Sequence, residues 1–389
     1  MLKTTYDLRG ILNKDLTYDI IYNNVLSFLK KVKNNKIPLL AIDFNKKNLL
    51  IKNFLEQKFK FQFLGVLPTP LFYYEVIKRK TPGIMITASH LPLNYSGLKF
   101  LLENGEAWRP IVKNKKSVIK IKIIKYKKND FIIKNEIYKN YFDKIKKIVK
   151  PKEKIYVNFD IKNLFLKTSL PFFKKTKIYH NENSPIKIKS DIDNDRIYLY
   201  IKNKKIHSDL IFYFISLNKN FKKLGVQIYF SNKLKNLLLE KNKKIYFIPT
   251  GHYFFKKFYK KYNIDIAFET SGHFYMFKHF KTESPYLALS LFLHFIKNNN
   301  ISLDEILKLN SSLNIYRLNI DQKKINLKNL VFLLKKEFHL KIKKFDGYLL
   351  YNKNYFIHLR KSHTENKIRI SYEGDIKFFK NIKKWLTKI

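Results

Sequence analysis

Apolar positions follow two different periods over the first third of the chain. Thr17 is placed to cap a helix, because the apolar residues after it, from Ile21 to Val32, recur at helical spacing. Residues 38–42 and 83–87 are short, continuous apolar runs, which are typical of buried strands. Strands that alternate with helices predict an α/β domain.

The rest of the chain carries further strand patterns and ends differently. Residues 154–160 and 197–201 predict two more strands, and the lysine-rich residues 144–154 predict the first domain boundary. After Leu313 the pattern changes to that of a small α+β unit. Its last segment predicts a helix with one apolar face, formed by Phe378, Ile382, Trp385, Leu386 and Ile389.

The composition excludes several classes of protein. The chain has 389 residues, 45% of them hydrophobic and 16% aromatic, so we expect several buried cores and no extensive disorder. Because there is no cysteine, disulfides, thiolate zinc sites and cysteine nucleophiles are excluded. The longest uncharged apolar stretch, residues 286–296, is too short to span a bilayer, and the charged N-terminus does not support export. We therefore expect a cytoplasmic protein without membrane contact.

The net charge of +49 would ordinarily suggest an anionic partner such as nucleic acid. Only seven of the 79 basic residues are arginine, however, and the lysines are spread along the whole chain. A nucleic-acid reader concentrates its cations on one face and favours arginine for bidentate contacts. The residues that A- and T-rich codons encode are abundant together, which accounts for the charge, so we do not expect nucleic acid as a partner.

Three aspartates, Asp191, Asp193 and Asp195, alternate along the chain just before a predicted strand. Carboxylates at this spacing can converge on one hard cation. An EF-hand is excluded, because Arg196 and Lys202 stand where that loop needs glycine and glutamate. A solvated acidic turn is the alternative, but neighbouring carboxylates repel one another and a metal ion relieves the repulsion. The spacing therefore predicts a divalent-metal site.

Ser89 lies in the sequence Thr-Ala-Ser-His, directly after a predicted buried strand. A serine in such a loop can act as a nucleophile when a base or a metal activates it, whereas the alternative is a turn serine that bonds to backbone. The G-x-S-x-G elbow of hydrolases is absent. Lys99 follows shortly afterwards and suits an anionic substrate or proton transfer.

Two further loops combine charge with hydroxyl groups. Residues 269–273, Glu-Thr-Ser-Gly-His, place a carboxylate and a hydroxyl two residues apart, which suits adjacent sugar hydroxyls. Residues 250–252, Thr-Gly-His, precede them. Residues 360–364, Arg-Lys-Ser-His-Thr, lie between two predicted strands and could clamp a phosphate. A polar turn without function is the alternative for each loop taken alone.

Together these segments resemble the α-D-phosphohexomutase family. That family shares an early Y-D-I-R-G, a phosphoserine loop T-[GA]-S-H-N-P with a following G-F-K, a metal loop D-G-D-G-D-R, a sugar loop G-E-x-S-G-H and a late phosphate loop R-x-S-x-T. The counterparts occur here in the same order over nearly the whole chain, at residues 6–10, 87–92, 97–99, 191–196, 268–273 and 360–364.

The resemblance implies an α/β fold class with the four-domain phosphohexomutase architecture. Three related α/β domains with mixed sheets and a smaller α+β C-terminal domain are expected around a central cleft. The expected bounds are residues 1–150 for the phosphoserine domain, 151–205 for a trimmed metal-binding domain, 206–313 for the sugar-binding domain and 314–389 for the phosphate-binding domain.

The resemblance also implies a mechanism. Ser89 would carry a phosphoryl group, and Mg²⁺ would be held by Ser89, Asp191, Asp193 and Asp195. Glucose 1,6-bisphosphate would serve as the activating phosphoryl donor, and the substrates would be hexose phosphates. The implied catalytic residues are Ser89, His90, Lys99, Arg9, Arg196, His252 and His273. The implied substrate-binding residues are Glu269, Ser271, Arg360, Ser362 and Thr364.

Several features bear on the branch of the family. The opening motif and residues 250–252 are similar to the phosphomannomutase/phosphoglucomutase branch, whereas residues 230–232, Phe-Ser-Asn, are similar to the phosphoglucosamine branch. We favour the first branch, with phosphoglucosamine mutase as the enzymatic alternative. An eroded, non-catalytic protein that binds sugar phosphates or RNA is the alternative from another class. A monomer or weak dimer is expected.

Some positions depart from the family's motifs. Leu91 replaces the asparagine of H-N-P, and Ile192 and Asn194 replace two glycines of the metal loop. The usual G-R-D-G-R of the first domain has become Ile-Asp-Phe-Asn-Lys at residues 42–46. The serine and the three aspartates remain, which favours retained chemistry.

Overall fold

The computed structural model describes residues 3–4, 7–32, 36–89, 91–111, 131–322, 325–352, 355–362 and 366–386. The chain divides into two compact units that alternate along the sequence. The first unit comprises Met1–Lys205 and Ser271–Asn300, and the second comprises Ile206–Thr270 and Ile301–Ile389. Four sheets are present among the described residues.

The first sheet is a mixed sheet of six strands that carries the serine loop. Its elements, with the helix that follows, are β1 Lys3–Thr4, β2 Asp7–Ile11, α1 Tyr18–Val32, β3 Leu39–Ile42, α2 Lys46–Lys58, β4 Gln62–Val66, α3 Thr69–Arg79, β5 Gly83–Ile86, β6 Tyr95–Leu101 and α4 Asn135–Val149. The strand order is β1-β2-β6-β5-β3-β4. β3 lies parallel to both β4 and β5, whereas β6 pairs antiparallel with β5 and β2. All residues of β3 and β5 are buried, as expected for strands covered on both faces.

The second sheet, also in the first unit, carries the aspartate loop. Its elements are β7 Ile155–Phe159, α5 Leu164–Phe173, a short 3₁₀ turn Lys174–Thr176, β8 Ile178–His180, β9 Ile186–Ser190, β10 Ile197–Ile201 and β11 Lys204–Lys205. The strand order is β11-β10-β9-β7-β8. β9 and β10 form an antiparallel pair in which Ser190 lies opposite Ile197, so residues 191–196 are the loop of a hairpin.

The second unit begins with parallel strands and helices. Its elements are α6 Ser208–Ser216, β12 Lys223–Val226, α7 Asn232–Glu240, β13 Lys244–Phe247, α8 His252–Tyr262 and β14 Ile266–Glu269. β12 lies between β13 and β14 and is parallel to both. The chain then returns to the first unit through β15 His273–Tyr275, α9 Phe277–Phe280 and α10 Pro285–Asn298.

The end of the chain completes the second unit with an antiparallel sheet. Its elements are α11 Leu303–Ser311, β16 Ile315–Asp321, α12 Leu327–Phe338, β17 Lys341–Lys344, β18 Tyr348–Tyr351, β19 Phe356–Lys361, β20 Lys367–Glu373 and α13 Ile376–Leu386. The order is β16-β20-β19-β18-β17, with every neighbouring pair antiparallel. Leu330 and Leu334 of α12 and Ile382 of α13 share one core with β19 and β20.

The predicted elements agree closely with this structure. The helix after Thr17 and the strands at residues 38–42, 83–87, 154–160 and 197–201 are confirmed, within one residue at most ends. The α+β pattern after Leu313 and the final helix are also confirmed, although Ile389 lies outside the described residues. The four domain bounds remain predictions; residues 144–149 of the proposed first boundary are the last residues of α4. No helix in the described parts of the chain is long and apolar enough to cross a bilayer.

Candidate active site

Ser89 follows β5 in a buried loop of the first unit. Its φ of +56° lies in the left-handed region, which costs a residue other than glycine about 1–3 kcal/mol. Its backbone N–H donates to Thr87 Oγ1 at 2.9 Å. Strain of this kind is retained where the surroundings impose it, which is common at functional sites. His90, the next predicted catalytic residue, lies outside the described residues.

The loop between β9 and β10 contains the three aspartates, and its shape depends on Asn194. Asn194 has a φ of +52°, whereas Ile192 is not among the described residues with positive φ. Asparagine tolerates the left-handed region better than most residues, so the substitution of this glycine position is compatible with the loop. Asn194 Nδ2 also donates to the Tyr286 hydroxyl at 2.8 Å. Tyr286 packs against Phe142 and Phe173, so α10 braces the aspartate loop.

The three aspartates converge within this loop. Asp191, Asp193 and Asp195 each offer a carboxylate oxygen within 4.8 Å of the other two. Asp191 Oδ2, Asp193 Oδ1 and Asp195 Oδ1 are buried and accept no hydrogen bond from any described residue. Burial, followed by the charges of Asp195 and Asp193, raises the pKa of Asp191 well above its usual range. Buried carboxylate oxygens that lack hydrogen-bond donors fit a hard divalent cation such as Mg²⁺.

Lys99 is the cation that the structure places against these carboxylates. Its Nζ lies 2.9 Å from Asp193 Oδ2 and 3.0 Å from Asp195 Oδ2, and the residue is only 3% exposed. Burial alone would lower the pKa of Lys99, but the charges of Asp193 and Asp195 hold that pKa well above its usual range. In this arrangement Lys99 places a positive charge directly against two of the three aspartates. The Thr69 hydroxyl also donates a hydrogen bond to Asp193 Oδ2, at 2.9 Å.

Arg196 and His273 form the other side of the aspartate cluster. Arg196 Nε donates to His273 Nε2 at 3.0 Å and lies 3.5 Å from Asp191 Oδ2. His273 Nδ1 lies 3.7 Å from Asp195 Oδ1. Because Nε2 accepts a hydrogen bond, the proton of a neutral His273 ring belongs on Nδ1, facing Asp195. Burial alone would raise the pKa of Asp195, but Lys99, His273 and Arg196 hold it well below its usual range.

Arg9 lies on β2, beside the strand that carries Lys99. β2 and β6 pair so that Asp7 is opposite Lys99 and Arg9 is opposite Gly97. The Arg9 guanidinium forms an ion pair with the carboxylate of Asp7. Its Nε is buried and has no hydrogen-bond partner among the described residues. Arg9 therefore retains a buried donor that could bind an anion.

The second unit brings two predicted substrate-binding residues together. Glu269 ends β14 and is buried, and Arg360 lies near the end of β19. Arg360 hydrogen-bonds the Tyr229 side chain. Burial alone would lower the pKa of Arg360, but the neighbouring Tyr229 and the carboxylates of Asp346 and Glu269 raise it. The unit thus holds a permanent cation near a buried carboxylate.

A hydrogen-bond network supports this pair of residues. Gln227 Oε1 accepts from Thr270 N–H at 2.9 Å and from its hydroxyl at 3.0 Å, and Gln227 Nε2 donates to Thr250 Oγ1 at 2.8 Å. Thr250 N–H donates to Asp346 Oδ2 at 2.9 Å. The network therefore joins residues 250–252, the sugar loop and the sheet that carries Arg360.

The remaining predicted residues lie on other elements of the fold. His252 begins α8 in the second unit, whereas the buried Ser271 hydroxyl in the first unit has no hydrogen-bond partner among the described residues. Ser362 accepts a hydrogen bond from Arg369 Nε at 3.3 Å, and Thr364 lies outside the described residues.

Several residues of these networks were not singled out from the sequence. They are Thr69, Tyr286, Gln227, Tyr229 and Asp346. They had no signal in sequence spacing, because their partners are distant along the chain.

His358 is expected to make the second unit sensitive to acid. Its ring stacks on Tyr229 at 4.6 Å, and burial lowers the pKa of His358 to about 4. In the unfolded chain the His358 ring takes up a proton near pH 6.5, whereas in the folded protein it does so only near pH 4. The free energy of unfolding is therefore at its full value above about pH 6.5 and decreases as the pH falls towards 4. The expected loss is about 3 kcal/mol.

His358→Phe keeps an aromatic ring on Tyr229 and should lose this pH dependence. Urea unfolding of both proteins between about pH 7 and pH 4.5 measures the difference. Equal slopes of stability against pH in the two proteins would contradict the prediction.

Comparison with known proteins shows similarity in both sequence and fold. The chain matches the phosphoglucomutase/phosphomannomutase α/β/α domain I over residues 1–127 and domain III over residues 210–312. A phosphomannomutase from Methanocaldococcus jannaschii is 26% identical over 433 residues, covering 96% of this chain and 94% of that protein. A phosphoglucosamine mutase from Prochlorococcus marinus is 29% identical over 148 residues, which cover 35% of this chain and 33% of that protein.

A solved structure of a phosphoglucomutase/phosphomannomutase family protein from Burkholderia thailandensis matches with a TM-score of 0.75 at 17% identity. The match covers 99% of this chain and 96% of that one, which confirms the expected phosphohexomutase fold class. The two domain matches span more than half of the chain. The chain therefore belongs to the phosphoglucomutase/phosphomannomutase family.

Proposed function

We propose that this enzyme interconverts hexose 1-phosphates and hexose 6-phosphates of mannose and glucose, through a phosphoserine at Ser89 and a bisphosphate intermediate. One observation carries the proposal. Asp191, Asp193 and Asp195 each keep a buried carboxylate oxygen without a hydrogen-bond donor among the described residues. Together with Lys99 and Arg196, they form a site of fixed charges that suits phosphoryl transfer, which depends mainly on positioning and charge neutralisation.

The donor set indicates which residues would hold the metal. Asp191, Asp193 and Asp195 would bind Mg²⁺ together with the phosphorylated Ser89, and Mg²⁺ would supply neutralisation of the charge that develops on the phosphoryl oxygens. Lys99 and Arg196 would add positive charge on either side of the aspartates. Arg9, with its buried Nε, would offer a further donor to the phosphoryl group.

Proton transfer would fall to a histidine. The charges of Asp193 and Asp195 raise the pKa of Lys99, which favours its charged form and makes it a poor acceptor for the proton of an attacking hydroxyl. His273 has one ring nitrogen facing Arg196 and the other facing Asp195, which fixes its orientation. We therefore propose His273 and His252 as the general acid and base.

The second unit would bind the rest of the substrate. Arg360 would hold the phosphate that does not react, because its planar fork matches phosphate oxygens. Glu269 would accept hydrogen bonds from sugar hydroxyls. After the first transfer the bisphosphate would reorient, and its other phosphate would return to Ser89. Glucose 1,6-bisphosphate would phosphorylate the resting enzyme.

Two features, at Thr250 and at residues 230–232, support mannose and glucose phosphates as substrates over glucosamine phosphate. Thr250 lies at the centre of the network that joins the sugar loop to Asp346. Residues 231 and 232 of the Phe-Ser-Asn segment lie at the start of α7 and donate hydrogen bonds to the carboxylate of Glu373. Ser231 Oγ lies 3.0 Å from Glu373 Oε1, and Asn232 N–H lies 2.7 Å from Glu373 Oε2. That segment therefore has a structural role, which weakens it as a sign of glucosamine specificity.

The test is a comparison of three sugars. Purified enzyme with Mg²⁺, primed with glucose 1,6-bisphosphate, is assayed on the 1-phosphates of glucose, mannose and glucosamine. We expect kcat/KM for mannose or glucose 1-phosphate to exceed that for glucosamine 1-phosphate. The reverse order would favour the phosphoglucosamine alternative, and no conversion of any sugar by folded protein would contradict the proposal.

A further inference from the structure

The turn after β3 contacts the serine loop, although it contains none of the residues assigned so far. Asp43, at the carboxyl end of β3, is only 1% exposed. Its Oδ1 accepts from Asn45 N–H at 2.8 Å and from Asn48 Nδ2 at 2.7 Å. A hydrogen bond with the side chain of Thr87 lowers the pKa of this carboxylate. The two donors to Oδ1 hold the buried carboxylate in one position.

Thr87 connects the Asp43 carboxylate with the backbone of Ser89. The Thr87 hydroxyl oxygen accepts the Ser89 N–H at 2.9 Å. An ionised carboxylate only accepts hydrogen bonds, so the hydroxyl proton of Thr87 points to Asp43 and its lone pair points to Ser89. Donation therefore runs in one direction, from Ser89 through Thr87 to Asp43.

The same turn holds the other end of the serine loop. Asn45 Nδ2 donates to the carbonyl oxygens of Leu93 and Tyr95, at 3.1 Å each. Asn48 Nδ2 donates to the carbonyl oxygen of Ile86, the last residue of β5, at 3.2 Å. Ser89 therefore lies in a segment that is bonded on one side to the start of α2 and on the other to the turn after β3.

Resting on the phosphoserine role proposed for Ser89, we propose that Asp43 is a positioning residue that acts through Thr87 to hold Ser89 ready for phosphoryl transfer. Ser89 has to keep its left-handed backbone while its side chain gains and loses a charged group. Phosphoryl transfer is sensitive to the placement of the reacting oxygen, so a bond that fixes the Ser89 backbone affects the rate. This gives a role to residues 42–46, where the sequence departs from the family's G-R-D-G-R.

The first experiment compares Thr87→Val with Thr87→Ser. The single-turnover rate of Ser89 phosphorylation by glucose 1,6-bisphosphate is followed by intact mass. We expect the phosphorylation rate to be about 10²-fold lower in Thr87→Val, which is the scale of an error of about 1 Å in placement. The rate of Thr87→Ser should stay close to that of wild type. Because the residues that bind the sugar are unchanged, kcat should fall with little change in KM.

The matched control is Thr176→Val. Thr176 is also fully buried in the first unit and its hydroxyl donates to the Phe173 carbonyl at 2.8 Å. This variant should phosphorylate Ser89 at the wild-type rate. Equal rates in Thr87→Val and Thr176→Val would overturn the proposal while leaving the mutase function intact, whereas a wild type that takes no phosphoryl group would overturn the mutase function itself.

The second experiment tests whether Asp43 and Thr87 act on Ser89 through the same hydrogen bonds. Asp43→Asn should also slow phosphorylation, and the double variant with Thr87→Val should be no slower than Thr87→Val alone, because effects along one path do not add. We expect Asp43→Asn to remain folded under the assay conditions, which urea unfolding measures. Multiplied effects of the two substitutions, or a loss of activity that follows a loss of stability, would overturn the proposal.

Discussion

Ser89→Ala is expected to give a folded protein that takes no phosphoryl group from glucose 1,6-bisphosphate. Wild type should gain one such group in the presence of Mg²⁺ and lose it when a hexose phosphate is added. Without the hydroxyl there is no acceptor at the end of β5, and sugar-phosphate interconversion should fall by about 10⁶-fold, the scale for loss of a covalent nucleophile. Intact mass and a coupled assay measure the two results.

Ser96→Ala is the matched control for this loss. Ser96 is fully buried on β6, and its hydroxyl has no hydrogen-bond partner among the described residues. Its removal should leave both phosphorylation and turnover unchanged. A Ser89→Ala protein that still gains the phosphoryl group would show that another residue is the acceptor and would contradict the role of Ser89.

Lys99→Met is expected to destabilise the metal-free protein by about 3–5 kcal/mol, because it leaves buried carboxylates without their cation. Lys99 Nζ lies within 3.0 Å of both Asp193 and Asp195. A divalent cation bound to those aspartates would replace part of the missing charge. Mg²⁺ should therefore stabilise the variant more than it stabilises wild type, by an amount that grows with the metal concentration.

Urea unfolding with EDTA and with millimolar Mg²⁺ measures this difference. Lys297→Met is the control, since Lys297 pairs with Glu153 at 3.3 Å, both side chains are exposed, and such a pair contributes less than about 1 kcal/mol. If Lys99→Met were as stable as wild type in EDTA, the lysine would not be the cation that balances the cluster. If Mg²⁺ stabilised both proteins equally, the metal would not bind where Lys99 acts.

Local patterns in the sequence identify many of the strands and the aspartate loop, because both depend on neighbouring residues. Ile197–Ile201 alternates between buried and half-exposed positions, and β10 has those same bounds. The aspartates were found from their spacing alone, since alternate residues of one tight loop must lie close together.

The partners of these residues could not be found in the same way. Thr69 bonds Asp193, and Tyr286 bonds Asn194, across long separations in sequence. Such pairs depend on how strands and helices are arranged, which short-range periodicity does not encode. The role of Asn194 illustrates the limit: its tolerance of positive φ is a local property, but the hydroxyl that holds its side chain comes from α10.

The contact between α10 and the aspartate loop has a consequence for how the chain is made. Tyr286 leaves the ribosome long after Asn194, and at roughly 5–20 residues per second the delay is on the order of ten seconds. During that time the nascent first unit lacks the helix that braces its aspartate loop, while residues 206–270 of the second unit are being synthesised. The first unit therefore cannot be completed until residues 271–300 have been made, and a chain that stops at residue 270 completes neither unit.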